Sequence, residues 1–221
     1  MTQIHESRKS SHPLIETIWR TTNISNGTYL ATPDRSWDLI TMVHKDGQKE
    51  MMLAGQATKP MQVPYLAGTS SVVISFTPSS YLPSHASDAL VDSFQMLPVV
   101  NNERFELAGY TFAFPTFETA EELVEQMVDR GILKNDPVVG GMQRAHSDRT
   151  AQRHFTTTTG LSRKSLEQIE RAQRAVSLLQ NGKRPADAAV DSGYSDQPHL
   201  TKSLKKIMGV SPTDVDDIHK L

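Results

Sequence analysis

The chain has 221 residues, a formal net charge of −2 and no cysteine. This length allows one large domain or two small ones, and the lack of cysteine excludes disulfides, thiolate zinc sites and cysteine nucleophiles. The sequence contains no run of 18 apolar residues, and its N-terminus lacks the apolar segment of a signal peptide, so we expect a cytoplasmic protein without a membrane partner.

The first half of the chain predicts β-structure. Four segments have the composition of strands, namely residues 37–44, 49–54, 70–76 and 105–114. The dipeptide Asp46-Gly47 between the first two is typical of a type I′ hairpin turn. Residues 84–97 predict a helix. Several short strands separated by turn signals indicate a small barrel or sandwich.

The pattern changes at Pro115, after which apolar residues recur at helical spacing. Thr119 and Glu122 have the spacing of a capping box at the start of a helix, and Gly131 suits its end. We therefore expect an α+β protein. A β-rich sensor or dimerisation domain would span residues 1–115, and an all-α domain would span residues 116–221.

Charge is unevenly distributed along the chain. Residues 144–212 contain 12 Lys and Arg and 6 Asp and Glu, a net charge of 12 − 6 = +6. The other residues contain 23 − 12 = 11 bases and 25 − 6 = 19 acids, a net charge of −8. A basic segment in an acidic chain indicates a polyanionic partner for that segment, although a solvated helical surface would have the same charge.

The C-terminal segment has the order of a helix-turn-helix. Ser147 and Ser162 are suitable N-caps for two helices, Pro185 suits the first turn of a short third helix, and Gly193 leads into a fourth. The fourth has a stripe of apolar residues at Leu200, Leu204, Ile207 and Met208. In a helix-turn-helix the first helix braces the second, which enters the DNA major groove. Periodicity alone leaves open a helix that merely covers a core.

Two segments resemble the AraC/XylS-type family of bacterial transcription regulators. The matching residues of the downstream segment are Gly193, Tyr194, Asp196, Gln197, His199, Leu200, Lys202, Gly209, Val210, Ser211 and Pro212. The upstream segment matches at Ser147, Arg149, Gln152, Arg153, Phe155, Gly160 and Leu161. The long helix between them is similar to the linker helix of the family. The resemblance covers roughly residues 118–212 and implies two helix-turn-helix units joined by a long helix.

The resemblance implies a sequence-specific DNA-binding transcription regulator, an activator or a repressor, that responds to an effector in some relatives. Its partner would be double-stranded DNA, and a small-molecule effector, RNA polymerase and a second copy of the chain remain open as further partners. By matching position, one half-site would contact Arg149, Gln152 and Arg153, and the other would contact Gln197, His199, Thr201 and Lys202. Lys205 would contact phosphate.

One departure from the family pattern favours an alternative. The bracing helix of the first unit should lie in residues 136–144, yet Gly140 and Gly141 would then sit inside it, at about 1 kcal/mol each relative to Ala. The alternative is a β-barrel ligand-binding or scaffold protein whose helical domain no longer binds DNA.

Signals for catalysis are missing from the sequence. The eight His residues show neither HxH nor HExxH spacing, and no GxSxG, Walker or GxGxxG motif occurs. Asp34 and Asp38 flank Trp37, a placement more typical of turn chemistry than of a catalytic pair. Five aromatic residues are candidates for a ligand pocket or for plain core packing, namely Trp37, Tyr65, Phe76, Tyr110 and Phe112. We expect no enzyme activity, no cofactor and no metal.

Overall fold

A computed structural model describes residues 2–218. Thirteen strands occur in this part of the chain, β1 (Gln3–Arg8), β2 (Ile15–Asn23), β3 (Gly27–Ala31), β4 (Trp37–Val43), β5 (Lys49–Ala54), β6 (Met61–Tyr65), β7 (Ser70–Phe76), β8 (Ser80–Tyr81), β9 (Phe94–Leu97), β10 (Val99–Val100), β11 (Arg104–Leu107), β12 (Tyr110–Ala113) and β13 (Lys134–Asn135). The helices are α1 (Ser87–Leu90), α2 (Ala120–Asp129), α3 (Asp148–Thr159), α4 (Arg163–Gln180), α5 (Pro185–Asp191) and α6 (Gln197–Ile207), followed by a 3-10 turn, Val215–Asp217. A β-rich region followed by a helical region confirms the predicted fold class.

The β-rich region is built on one open antiparallel sheet with the order β1-β2-β7-β4-β5-β9. Trp37 and Leu39 alternate along β4 toward a buried face, where Trp37 stacks on Phe76 of β7 with ring centroids 4.0 Å apart. The hairpin β11–β12 adds Phe105 and Phe112 to the same core. A sheet covered by a hairpin corresponds to the predicted sandwich and not to the barrel. Trp37, Phe76 and Phe112 are buried core residues, which agrees with core packing as the role of these three aromatic residues.

The turn between β4 and β5 differs from the prediction. The Gly47 N–H donates to the His44 carbonyl at 2.9 Å, which makes Lys45 and Asp46 the central turn residues. Neither has a positive φ, whereas a type I′ turn requires one at both positions. The type I′ prediction is therefore wrong, although the strands on either side of the turn are confirmed.

Two other predictions failed because the chain turns where no local signal is strong. The predicted strand 105–114 is a hairpin, and its turn residues Ala108 and Gly109 have φ values of 52° and 79°. The predicted helix 84–97 is only one turn long, and β9 occupies its last four residues.

Helix α2 packs on the core of the β-rich region. Leu123, Val124 and Met127 belong to the same buried cluster as the sheet residues. Arg8 of β1 donates to Glu121 at 2.5 Å, and this hydrogen bond lowers the pKa of Glu121 to about 2. The packing favours a boundary later than residue 115. Such a boundary would lie after Leu133, the last residue of this apolar cluster, and before Leu161, the first residue of the apolar cluster in the helical region. The division at 115 stays a prediction.

The capping box predicted for α2 is wrong. Thr119 is the N-cap, but its side chain makes no capping hydrogen bond. Its hydroxyl instead accepts from the Thr116 N–H at 3.0 Å, within the preceding turn. The end of α2 agrees with the prediction, since Gly131 follows with φ 68°.

The helical region has its own apolar core. Leu166, Ile169 and Val176 of α4 pack there with Leu200 and Leu204 of α6. Helices α4 and α5 begin as predicted, α4 directly after its cap Ser162 and α5 at Pro185, and the predicted apolar stripe of α6 is buried. No helix among residues 2–218 has the length and apolar character needed to cross a membrane.

The predicted bracing helix at residues 136–144 is wrong. This segment, which the structure describes completely, forms a single turn in which the Gly140 N–H donates to the Asp136 carbonyl at 3.0 Å. Gly141 then has a φ of 73°, which ends the turn because a right-handed helix cannot continue through a left-handed residue. Helix α3 therefore has no helix directly before it in the sequence.

Candidate nucleic-acid interface

Helix α3 presents a polar face at its N-terminal end. The Ser147 hydroxyl accepts a hydrogen bond from the Thr150 N–H at 3.2 Å and so caps the helix. Arg149, Gln152 and Arg153 lie within the first two turns and are exposed. The structure thus brings the three predicted residues of one half-site together on one accessible face.

Helix α6 carries the second predicted set. The Asp196 carboxylate caps it by accepting from the His199 N–H at 2.7 Å. Four of the predicted residues are exposed, namely Gln197, His199, Lys202 and Lys205, and Thr201 is half-buried. The Thr201 hydroxyl donates to the Gln197 carbonyl at 3.0 Å, so part of its hydrogen-bonding capacity is used within the helix.

The His199 ring is held in place by two neighbours. Its Nδ1 lies 3.1 Å from the Ser195 hydroxyl, and the ring meets Tyr194 edge-on at 5.2 Å between centroids. Because Nδ1 is engaged and the residue is exposed, Nε2 is the ring atom left to meet a partner.

The cations on these two faces differ from several others in the helical region. Among residues 2–218, Arg149, Arg153, Lys202 and Lys205 make no ion pair, whereas Arg163, Lys183 and Arg184 are paired with Glu167, Asp191 and Asp187 respectively. A cation without a protein partner retains its full charge for a phosphate or a base edge. Both proposed faces, on α3 and on α6, therefore carry positive charge that no acid of the described chain neutralises by direct pairing.

Comparison with known families matches residues 144–217 to a helix-turn-helix domain. The match begins just before the Ser147 cap and includes all four helices from α3 to α6. Residues 144–217 are an AraC-type helix-turn-helix domain. This confirms the family resemblance of the two segments, and with it a fold that DNA-binding transcription regulators use.

Solved structures with some similarity include those of ToxT from Vibrio cholerae. One is 10% identical with a TM-score of 0.47 and covers 100% of both chains. Another, bound to (E)-4-(8-methylnaphthalen-1-yl)but-3-enoic acid, is 10% identical with a TM-score of 0.42 and covers 99% of this chain and 100% of that chain. Similarities at this level carry no inference about function. Comparison with curated protein sequences gives no match.

Within the AraC-type domain, the inward face of α3 contacts the β-rich region. The Asp136 carboxylate accepts from His154 Nδ1 and from the Thr158 hydroxyl, both at 2.8 Å. Burial alone would raise the pKa of Asp136, but these two bonds and the backbone N–H groups of Val138 and Val139 lower it overall. No sequence motif pointed to this role of Asp136. The available signal was the four-residue spacing of His154 and Thr158, which places both on one helix face.

Two spaces, one between the β-rich region and α3 and one on the β-rich region alone, bear on ligand binding. A cavity of about 20 Å³ lies between Trp37, Gln56, His85 and Thr158, and this volume suits a water molecule at most. An open groove of about 320 Å³ is lined by the α1 segment and by Phe94 of β9. Its volume falls at the lower end of the range of small-molecule sites.

Asp34 and Asp38 are half-buried and lie close enough for their carboxylates to interact. Asp34 accepts from the Ser36 N–H at 3.0 Å, which is the turn chemistry predicted for it. Asp38 Oδ1 is buried without a hydrogen-bond partner. Burial, and secondarily the Asp34 carboxylate, raise the pKa of Asp38 to about 8. Among residues 2–218, no group of three or more His, Asp or Glu side chains is placed to hold a metal ion.

Proposed function

We propose that the chain is a sequence-specific DNA-binding transcription regulator in which α3 and α6 each contact one DNA half-site. The observation that carries the proposal is the pair of capped helices in an AraC-type domain, each with an exposed face of unpaired cations and amides. Such faces match the major groove, where Arg or Lys pairs with guanine and Gln or Asn with adenine.

For the first half-site we assign base contacts to Arg149, Gln152 and Arg153. Gln152 Nε2 donates to the Thr156 hydroxyl at 3.1 Å along the helix surface. Its carboxamide oxygen remains available, and a change of rotamer would free Nε2 for adenine. The two arginines flank this amide on the exposed face and suit guanine or phosphate.

For the second half-site we assign base contacts to Gln197, His199 and Lys202 and phosphate contacts to Lys205. Thr201 is a weaker candidate, because its hydroxyl is already bonded to the Gln197 carbonyl. We place it against a sugar or phosphate, where the hydroxyl oxygen can still accept from bridging water. The N-termini of the two helices are separated by 197 − 148 = 49 residues, and we expect the half-sites to lie about one DNA turn apart.

The first experiment selects genomic DNA fragments that the full chain retains in the presence of competitor DNA. Affinity for a selected fragment is then measured by fluorescence anisotropy over a range of salt concentrations. Binding should weaken steeply with salt, because each neutralised phosphate releases counterions. Lys205→Ala should weaken binding to all fragments about equally and lower the log–log salt slope by roughly 1.

The matched control is Lys9→Ala, which removes the same charge from an exposed position on the β-rich region. Lys9 lies on none of the proposed contact faces, so the log–log salt slope of Lys9→Ala should equal that of the unmodified chain. An affinity independent of salt, or equal slopes for Lys205→Ala and the unmodified chain, would refute the proposed docking.

The response to an effector is the second part of the proposal. We place a small-molecule effector in the open groove along the α1 segment, because the enclosed cavity is too small for an organic molecule. A second copy of the chain and RNA polymerase complete the partners we propose for a regulator of this type. Cross-linking and co-purification of the full chain test both.

One observation favours the alternative of a ligand-binding or scaffold protein. The AraC-type domain lacks the helix that should precede α3, so the first unit is incomplete. If this loss had abolished DNA binding, no genomic fragment would be retained above a non-specific background. The same retention experiment therefore separates the two functions.

A further inference from the structure

The two DNA-contacting helices differ in what supports them. Helix α6 is packed against α5, which contributes Ala188 and Ala189 to the shared apolar core. Helix α3 has only a single turn before it, in residues 136–144. A helix-turn-helix needs its first helix to hold the second against the DNA. The first unit must therefore obtain this support from elsewhere.

The β-rich region makes polar contacts with α3. The Ser87 hydroxyl of α1 donates to the Thr158 carbonyl at 2.9 Å. Asp136 accepts from His154 and from the Thr158 hydroxyl on the same helix face. Because a carboxylate only accepts hydrogen bonds, His154 Nδ1 is the donor in this pair.

Asp136 is itself fixed to the β-rich region. Its N–H donates to the Ser79 carbonyl at 2.7 Å, next to the pairing of β13 with β8. Its Oδ1 accepts from the N–H groups of Val138 and Val139 at 2.9 and 3.3 Å, and the residue is 8% exposed. The carboxylate therefore connects the sheet to α3 without freedom to move independently.

These contacts support α3 and leave its proposed DNA-binding face free. His154 and Thr158 face the β-rich region, whereas Arg149, Gln152 and Arg153 are exposed in the same arrangement. Docking of the β-rich region is thus compatible with DNA binding through α3. An inhibitory contact would instead cover that face.

We infer that the β-rich region replaces the bracing helix of the first unit through the positioning residues Ser87 and Asp136, and thereby controls affinity for one half-site selectively. This inference rests on the proposed function. The β-rich region also contacts the chain just after α6, but this contact does not stand in for a bracing helix. There Pro60 lies against Gly209, beyond the residues proposed to meet DNA, and α5 still supports the helix.

The test uses the full chain and a selected operator whose half-sites are mutated one at a time. The variant Arg149→Ala first identifies the half-site that α3 contacts. Mutation of that half-site should cause no further loss of affinity in this variant, whereas mutation of the other half-site should. Asp136→Asn should then lower affinity for the intact operator about tenfold, since it weakens two charge-assisted hydrogen bonds. This loss should disappear when the α3 half-site is mutated and persist when the other half-site is mutated.

A second pair of variants tests the mechanism if Asp136→Asn proves poorly folded. His154→Gln keeps an N–H donor toward Asp136 and should retain most of the affinity, whereas His154→Leu has no donor and should lose about tenfold. The control Asp191→Asn removes an exposed acid from α5 and should not change the ratio of the two half-sites.

The outcomes separate the inference from the proposed function. If Arg149→Ala weakens binding equally whichever half-site is mutated, the assignment of α3 to a half-site fails, and the inference fails with it. If Arg149→Ala behaves as expected but Asp136→Asn weakens both half-sites equally, or not at all, only the inference is overturned. Equal losses for His154→Gln and His154→Leu would also overturn it.

Discussion

Substituting Gly160 by Ala tests the seating of α3 on the β-rich region without any DNA. Gly160 ends α3 with a φ of 73°. An added Cβ would lie 2.6 Å from Val91 Cγ2, 2.7 Å from the Ser87 carbonyl oxygen and 2.9 Å from Asp88 Cα. Gly182 provides a matched control, since its φ is 81° and no heavy atom lies within 4 Å of the added carbon.

The expected magnitudes follow from these two environments. A left-handed backbone costs an L-residue about 1–2 kcal/mol, and this applies to both substitutions. The contacts with Val91 and the α1 backbone add an overpacking cost of about 1–3 kcal/mol only at Gly160. Gly182→Ala should therefore lower the free energy of unfolding by about 1–2 kcal/mol, and Gly160→Ala by about 2–5 kcal/mol.

Urea denaturation followed by far-UV circular dichroism measures both losses. A larger loss for Gly160→Ala, with the m-value unchanged, supports the contact between α3 and α1. Equal losses would refute it, because the backbone term is common to both variants and only the contact distinguishes them. The inference about Ser87 would then lose its structural basis as well.

Two further predictions concern stability and domain organisation. Because the pKa of Asp38 is raised, the folded chain keeps a proton on this carboxyl that the unfolded chain, with the ordinary pKa of 3.8, releases. Stability should therefore fall as pH rises from about 4 to about 8. Urea midpoints measured across this range should show a flatter decline for Asp38→Asn. An unchanged decline would exclude Asp38 as its cause. A fragment of residues 116–221 should aggregate because Leu123, Val124 and Met127 lose their core, whereas residues 144–221 should be soluble and helical. Equal solubility of the two fragments would instead support the boundary at residue 115.

The helices of the AraC-type domain were predictable because their boundary signals are local. Ser147 and Ser162 cap α3 and α4 through hydrogen bonds to N–H groups three residues later. Pro185 occupies the first position of α5, and Gly160 ends α3. The candidate DNA-contacting residues were assigned by their matching positions in the family resemblance, and the apolar stripe of α6 leaves a defined outer face for those of the second half-site.

Several failures arise because pairing and hydrogen bonding with other residues override the local preference of a residue. Ala108 adopts a φ of 52°, which no local preference of Ala predicts, because the strands on either side pair with each other. The segment that follows Asp136 carries apolar residues at helical spacing, yet Asp136 bonds to α3 and Gly141 ends the turn. The support of α3 by Ser87 joins residues 71 positions apart, and no pattern within one segment contains that information.

The strength of this interface explains how the β-rich region can act differently on the two half-sites. Three hydrogen bonds, from Ser87, His154 and Thr158, join it to α3. At about 0.5–1.5 kcal/mol for a neutral bond and about 1.5–3 kcal/mol for one to a charged group, they contribute several kcal/mol at most. A ligand that binds one of two states about 10⁴-fold more tightly supplies about 5.5 kcal/mol, which is comparable to the strength of these three bonds. Helix α6 is held by the fully buried Leu200 and Leu204, so it would remain folded when α3 is released. Regulation in this architecture would therefore change the number of half-sites that the chain engages while the second unit stays competent to bind DNA.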